Sequence, residues 1–75
     1  MSKIPALTAK GVIRALKASG FVEDRQKGSH LILIHLKTKA RTVVPVHSGK
    51  TLKKSLVQAI IGDAQLTTEE FLKLL

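Results

Sequence analysis

Ala9, Val12, Ile13 and Leu16 recur at i, i+3, i+4 and i+7, the spacing that collects side chains on one face of a helix. Thr8 precedes them as an N-cap residue type and Gly20 follows as a C′ one, so a helix is predicted between the two. Its opposite face carries Lys10, Arg14 and Lys17. The pattern then changes. Phe21 to Gln26 reads as a short strand, Gly28 as a turn, His30 to Leu36 as a second strand and Arg41 to Val46 as a third, stopped at Pro45-Val46-His47. Connections this short predict antiparallel hairpins. The Lys37-Thr38-Lys39-Ala40 turn contains no glycine, so its type is not readable. From Leu52 the helical period returns through Leu56, Val57, Ile60, Ile61 and Ala64, with Thr51 expected as the cap and Gly62 or Gln65 near the end. Thr67-Thr68-Glu69-Glu70 spells a capping box, predicting a short last helix through Leu75.

The order α-β-β-β-α plus a terminal helix is an α+β architecture, one domain over residues 1–75, with two helices packed on one face of a three-stranded antiparallel sheet. The stretch KGSHLILIH complicates it. Alternation places His30, Ile32 and Ile34 on one face and Leu31, Leu33 and His35 on the other, so a pair of aliphatics faces away from the helices whichever way the strand lies. Either the terminal helix folds over them or something else covers them, a second copy or a different protein.

Composition narrows the function classes. A chain of 75 residues buries only about 60% of its unfolded surface. It has no cysteine, which excludes a disulfide scaffold and a zinc finger and suits a reducing cytoplasm. The opening Met-Ser-Lys-Ile-Pro-Ala-Leu lacks the apolar core of a signal peptide, and no run approaches a membrane span. A cytoplasmic protein is expected.

Charge says more. The formal net charge is +8, and all five acids are Glu23, Asp24, Asp63, Glu69 and Glu70. From Arg25 to Gly62 there are eight Lys or Arg, all three histidines and no acid. An unbroken positive field of that kind attracts a polyanion, and nucleic acid is the expected partner. The only aromatics besides histidine are Phe21 and Phe71, so stacking platforms for single strands are missing and contact to phosphates and 2′-hydroxyls is expected.

His30 is the candidate for chemistry because Lys27-Gly28-Ser29 introduces it. Glycine permits close backbone approach to a phosphate, lysine adds charge, and an imidazole exchanges protons near neutral pH. His47 leads into Ser48-Gly49-Lys50, a small cationic turn suited to a phosphate or simply a loop. His35 faces away from His30 and is read as structural. Lys50, Lys53 and Lys54 crowd the start of the second long helix, where cations oppose the helix dipole and an anion would reverse that cost. The lack of acids and of an i, i+4 histidine pair argues against a metal site, and no cofactor is expected.

The ordered set of Gly28-Ser29-His30 at a strand start, Val44-Pro45-Val46-His47 after the next strand and then a lysine-rich helix start resembles the HicA family of toxins. Gly20-Phe21-Val22 at the end of the first helix, and Asp63-Ala64-Gln65-Leu66-Thr67 with Glu69-Glu70-Phe71, are also similar. The resemblance implies a fold like the double-stranded-RNA-binding domain, cleavage of mRNA, neutralisation by a HicB-type antitoxin, and a catalytic role for the histidine of Gly-Ser-His, here His30. The chain departs from the family pattern at Ser55-Leu56-Val57, where Gly-Thr-Leu is usual, and at Gln65, where Gly is usual.

The reading is therefore a toxin acting as a metal-independent endoribonuclease. His30 is its catalytic residue, and Lys10, Arg14, Lys27, Gly28, Ser29, His47, Lys50, Lys53 and Lys54 are its RNA contacts. A homo-oligomer through the open sheet face is also open. A non-catalytic RNA-binding module on the same basic surface, and an adaptor using the apolar face, remain the other readings. The first differs from the enzyme in having no need of an imidazole at position 30.

Overall fold

The computed structural model describes residues 4–47 and 49–75. It contains α1 (Ala9–Ala18), β1 (Phe21–Lys27), β2 (His30–His35), β3 (Arg41–Pro45), α2 (Lys54–Asp63) and α3 (Thr68–Leu72). The strands form an antiparallel sheet in the order β1-β2-β3, with β2 central. The predicted order and class hold, and the strand ends move by one residue.

Helix α1 begins as expected. Thr8 sits in extended backbone and its Oγ1 accepts from the Gly11 amide at 3.3 Å, satisfying one of the helix's orphan donors. At its other end Gly20 takes φ +115°, where a side chain would be strained. The buried stripe is Ala9, Val12, Ala15 and Leu16. Ala15 takes the place expected of Ile13, which is only half-buried. Helix α2 starts later than predicted. Thr51 does not cap it but bridges to Thr8, and the Leu52 amide donates to the Leu7 carbonyl at 2.7 Å. The cap position falls to Lys53, whose side chain accepts nothing. Helix α3 has its capping box, with Glu70 N donating to Thr67 Oγ1 at 3.1 Å and Thr67 N donating to Glu70 Oε1 at 2.8 Å. It ends at Leu72 rather than Leu75, closing in a turn.

The core lies between the sheet and the helices. Leu16, Leu33, Val44, Val57, Ile60 and Phe71 are all essentially inaccessible, each worth about 1.5–3 kcal/mol of burial. Phe71 carries α3 into this same core. The terminal helix therefore packs on the helical side, against α2, and does not fold over the other sheet face. Leu31 and Leu33 also belong to this core, so the isoleucines of β2 are the pair facing away.

Strand pairing arranges that open face in three rows. Val22, Ile34 and Arg41 form one, Arg25, Ile32 and Val43 the next, and Lys27, His30 and Pro45 the last. A bulge at Asp24 makes this possible, because the register shifts between Glu23 and Arg25. Strict alternation from Val22 would have sent Lys27 to the helical side. Ile32 at the centre is only 7% exposed, whereas Val22 and Val43 beside it are 37% and 39% exposed.

Candidate functional site

His30 occupies the last row of the open face, at the β1–β2 turn. The turn is a two-residue loop, Gly28-Ser29, with φ +57° at Gly28. Glycine at the first central position is the pattern of a type II′ hairpin, which matches the twist of the flanking strands. A Cβ at Gly28 would meet nothing within 4 Å, so its backbone angle, not crowding from within the protein, explains the glycine. Gln26 supports the loop by donating from Nε2 to the Gly28 carbonyl at 3.0 Å. His30 is exposed, and among the described residues its ring makes no hydrogen bond. Lys27 is its cross-strand neighbour on the same face. An exposed imidazole beside a fixed cation can exchange a proton with a substrate whose charge the cation holds.

The other cations converge on this end of the molecule through three backbone links. The Val46 amide donates to the Ser29 carbonyl, which ties the exit of β3 to the His30 turn. The Thr8–Thr51 bridge and the Leu52–Leu7 bond tie the approach to α2 against the approach to α1. Lys10, in the first turn of α1, and His47, beyond β3, line one cleft together with Ala9, Ile13 and Val46. Lys53 stands at the uncapped N-terminus of α2 and Lys54 opens the helix, with no acid in that first turn. Lys50 lies between, after Gly49; Ser48, the first residue of the predicted phosphate-binding turn, lies outside the described residues. Arg14 stands one turn further along α1. Among the described residues, no ion pair engages these lysines or Arg14.

The far end of the sheet is mixed in charge: Lys37, Lys39 and Arg41 lie there in no ion pair among the described residues, but so do the acids Glu23 and Asp63. Lys17, third in the predicted basic stripe, is bonded to Glu23. Asp24 pairs with Arg25 at 3.3 Å, and Asp63 reaches the buried Thr42 hydroxyl at 3.5 Å. His35 ends β2 there as a structural group. Its Nε2 lies 2.9 Å from the Ser19 carbonyl, and its Nδ1 accepts from the amides of Lys37 and Thr38 at 3.1 and 3.2 Å. The tautomer with hydrogen on Nε2 satisfies all three contacts. Its ring meets Phe21 edge-to-face, with centroids 5.1 Å apart. His35 thereby closes the turn that had no glycine, in which Lys39 adopts φ +64°.

Two features escaped sequence reasoning. Arg25 and Arg41 join the open face, Arg25 by virtue of a bulge that no local pattern announces. The cleft of about 450 Å³ at Ile13 and Val46 joins residues far apart in the chain. Nothing in the sequence announced it: Ile13 reads as one more core position of the first helix, and only the fold shows it half-buried.

The fold and site define a small basic α+β domain with two exposed histidines, His30 and His47, among the cations of one end. Comparison with known families matches residues 9–66 to the family described as the HicA toxin of bacterial toxin–antitoxin systems. The chain belongs to that family, and a cognate antitoxin is accordingly its partner. A search of the curated proteins finds no match. Among the described residues, no helix is long and apolar enough to cross a membrane.

Proposed function

We propose that the chain is an endoribonuclease toxin that cleaves mRNA in the cytoplasm without a metal, using His30 as its acid–base residue. The observation that carries this reading is the placement of His30, exposed and with no hydrogen bond to its ring among the described residues, beside Lys27 and at the same end as Lys10, Lys50, Lys53 and Lys54. Lys27, the Gly28-Ser29 turn and the lysines at the start of α2 hold the RNA backbone, with Lys10, Arg14, His47 and Lys50 extending the track. The imidazole takes the ribose 2′-hydroxyl proton or gives one to the leaving 5′-oxygen. Attack of the 2′-oxygen on its own phosphate breaks the P–O5′ bond and leaves a cyclic 2′,3′-phosphate and a 5′-hydroxyl. One positioned acid–base group contributes typically about 10²–10⁴-fold.

The test is cleavage of RNA by the purified chain in excess EDTA, with analysis of the termini. Cyclic phosphate ends formed in EDTA support the reading. RNA that is bound but left intact would instead assign the surface to a non-catalytic RNA-binding module. Activity lost in EDTA and restored by zinc or magnesium would overturn metal independence.

The open face is the proposed seat of the antitoxin. It is apolar at Val22, Ile32, Ile34 and Val43, cationic at Arg25 and Arg41, and contains His30. An acidic partner with an apolar centre would bury upwards of about 1,000 Å² there and cover His30 without changing the fold. Amide exchange on the complex should protect residues 27–36 and 42–54. Protection confined to residues 68–75 would place the antitoxin on the helical side and leave the exposed Val22 and Val43 without a partner.

A further inference from the structure

The cleft between the first turn of α1 and the chain leaving β3 has no part in the chemistry assigned to His30. Its walls are Ala9 and Ile13 from the helix and Val46 from the exit segment, and its rim carries Lys10 and His47. The volume, about 450 Å³, falls within the range of small-molecule sites. It lies around the end of the sheet from His30. Pro45 is the cross-strand partner of His30 and Val46 is the next residue, so the two Cα atoms are no more than about 9 Å apart.

We propose that this cleft receives one unpaired nucleobase of the RNA, from a nucleotide next to the phosphate that His30 addresses. The inference rests on the ribonuclease reading and adds to it a subsite for a base. Three observations select this occupant. Aliphatic walls would strip water from a phosphate and return no hydrogen bonds, whereas the flat face of a base loses little there. The rim supplies one lysine for the phosphate attached to that base and one imidazole to lie against its ring. And the Val46–Ser29 backbone bond holds one wall of the cleft beside the His30 turn, so a nucleotide next to one lying on Lys27 and His30 is within reach of it. The site replaces the aromatic stacking platform that the composition lacks. Ile13 is half-buried because its remaining surface forms the wall of this cleft.

The experiment uses the full chain with His30→Ala, so that RNA stays intact. Methyl resonances of Ile13 and Val46 are followed during titration with adenosine 5′-monophosphate, ribose 5-phosphate and inorganic phosphate in turn. The expected result is movement of both methyl groups with the nucleotide and neither with the two base-free probes. A second measurement needs no change to the cleft. Short RNAs carrying a single abasic position, scanned along the strand, should lose about fivefold or more in affinity at one position and little elsewhere. Equal methyl shifts with inorganic phosphate, or a flat abasic scan, would overturn the proposal. So would methyl shifts seen only on adding the antitoxin, which would make the cleft an anchor site for the partner protein. Cleavage by the unsubstituted chain separates this from the enzyme reading. Base-dependent shifts in a chain that never cuts RNA uphold the cleft and sink the enzyme, and cutting with no such shifts does the reverse.

Discussion

Strand β2 begins at one histidine and ends at another, and the two are held in opposite ways. His35 faces the helices, contacts Phe21 and has a partner for each ring nitrogen. His30 faces away from them, with no hydrogen bond to its ring among the described residues. The surroundings follow the division in their acids: Glu23 and Asp63 lie toward the His35 end, among Lys17, Lys37, Lys39 and Arg41, while Lys27 and the lysines leading into α2 gather near His30 with no acid among them. The difference separates a histidine that builds from one that is available. All of His35's bonding capacity is spent inside the fold, whereas the fold makes no use of His30's among the described residues. Substitutions at the two ends should therefore fail in different ways.

The largest effect is expected at His30. His30→Ala should reduce RNA cleavage by about 10²–10⁴-fold and relieve growth inhibition, with the melting temperature nearly unchanged because the side chain is exposed. Cleavage at the unsubstituted rate would remove His30 from the chemistry.

The converse applies at the other end. His35→Ala should keep the cleavage rate per folded molecule but cost about 2–3 kcal/mol, as three hydrogen bonds and the Phe21 contact are lost. Gly20→Ala should cost about 2–4 kcal/mol. Gly20 has φ +115°, and a Cβ there would sit 2.6 Å from His35 Nε2. In a chain this small each kcal/mol lowers the melting temperature by about 4–8 °C. Combining the two substitutions separates backbone strain from the clash. With His35 removed, Gly20→Ala should be less costly by about 1 kcal/mol or more in chemical denaturation. Strict additivity would mean that the two residues do not constrain one another.

These contrasts were unevenly legible in the sequence. The order of elements, the Thr8 cap, the Thr67–Glu70 box and the structural role of His35 could be read because spacing and residue type encode them locally. Thr51 misled because its residue type suits a cap, yet it is occupied by Thr8, a partner 43 positions away in the chain. The Asp24 bulge and the left-handed angles of Lys39 and Gln65 carry no glycine or other local signature. At Gln65 the chain takes φ +62° in the place where its family usually has glycine, so the turn survives the departure. Which aliphatic pair of β2 faces outward was undecidable from alternation alone, since both faces are apolar. It was settled by where the helices pack.

A smaller effect should appear at the start of α2. Lys53→Glu and Lys54→Glu should each weaken RNA binding several-fold with little dependence on sequence, and flatten its dependence on salt. An acid in that first turn, where none exists, should also stabilise the helix by about 0.3–1 kcal/mol. Binding at low salt that is indifferent to both changes would take this helix end out of the RNA path.

The smallest effect belongs to Lys17, and it is informative for being small. Lys17→Gln and Lys54→Gln each remove one positive charge from a chain of formal net charge +8. If RNA were held by net charge alone, the two should weaken binding equally. If the cationic end near His30 forms the site, they should not. Lys17 is already bonded to Glu23, and both side chains are 48% exposed, so the pair contributes no more than about 1 kcal/mol to stability. Breaking it should leave RNA affinity and its salt slope where they were. Lys54→Gln should lower the slope by about one counterion's worth. Parallel titrations of the two variants over a series of salt concentrations would decide. Equal slopes would make the binding surface diffuse and reduce the contrast between the two ends to a matter of histidines alone.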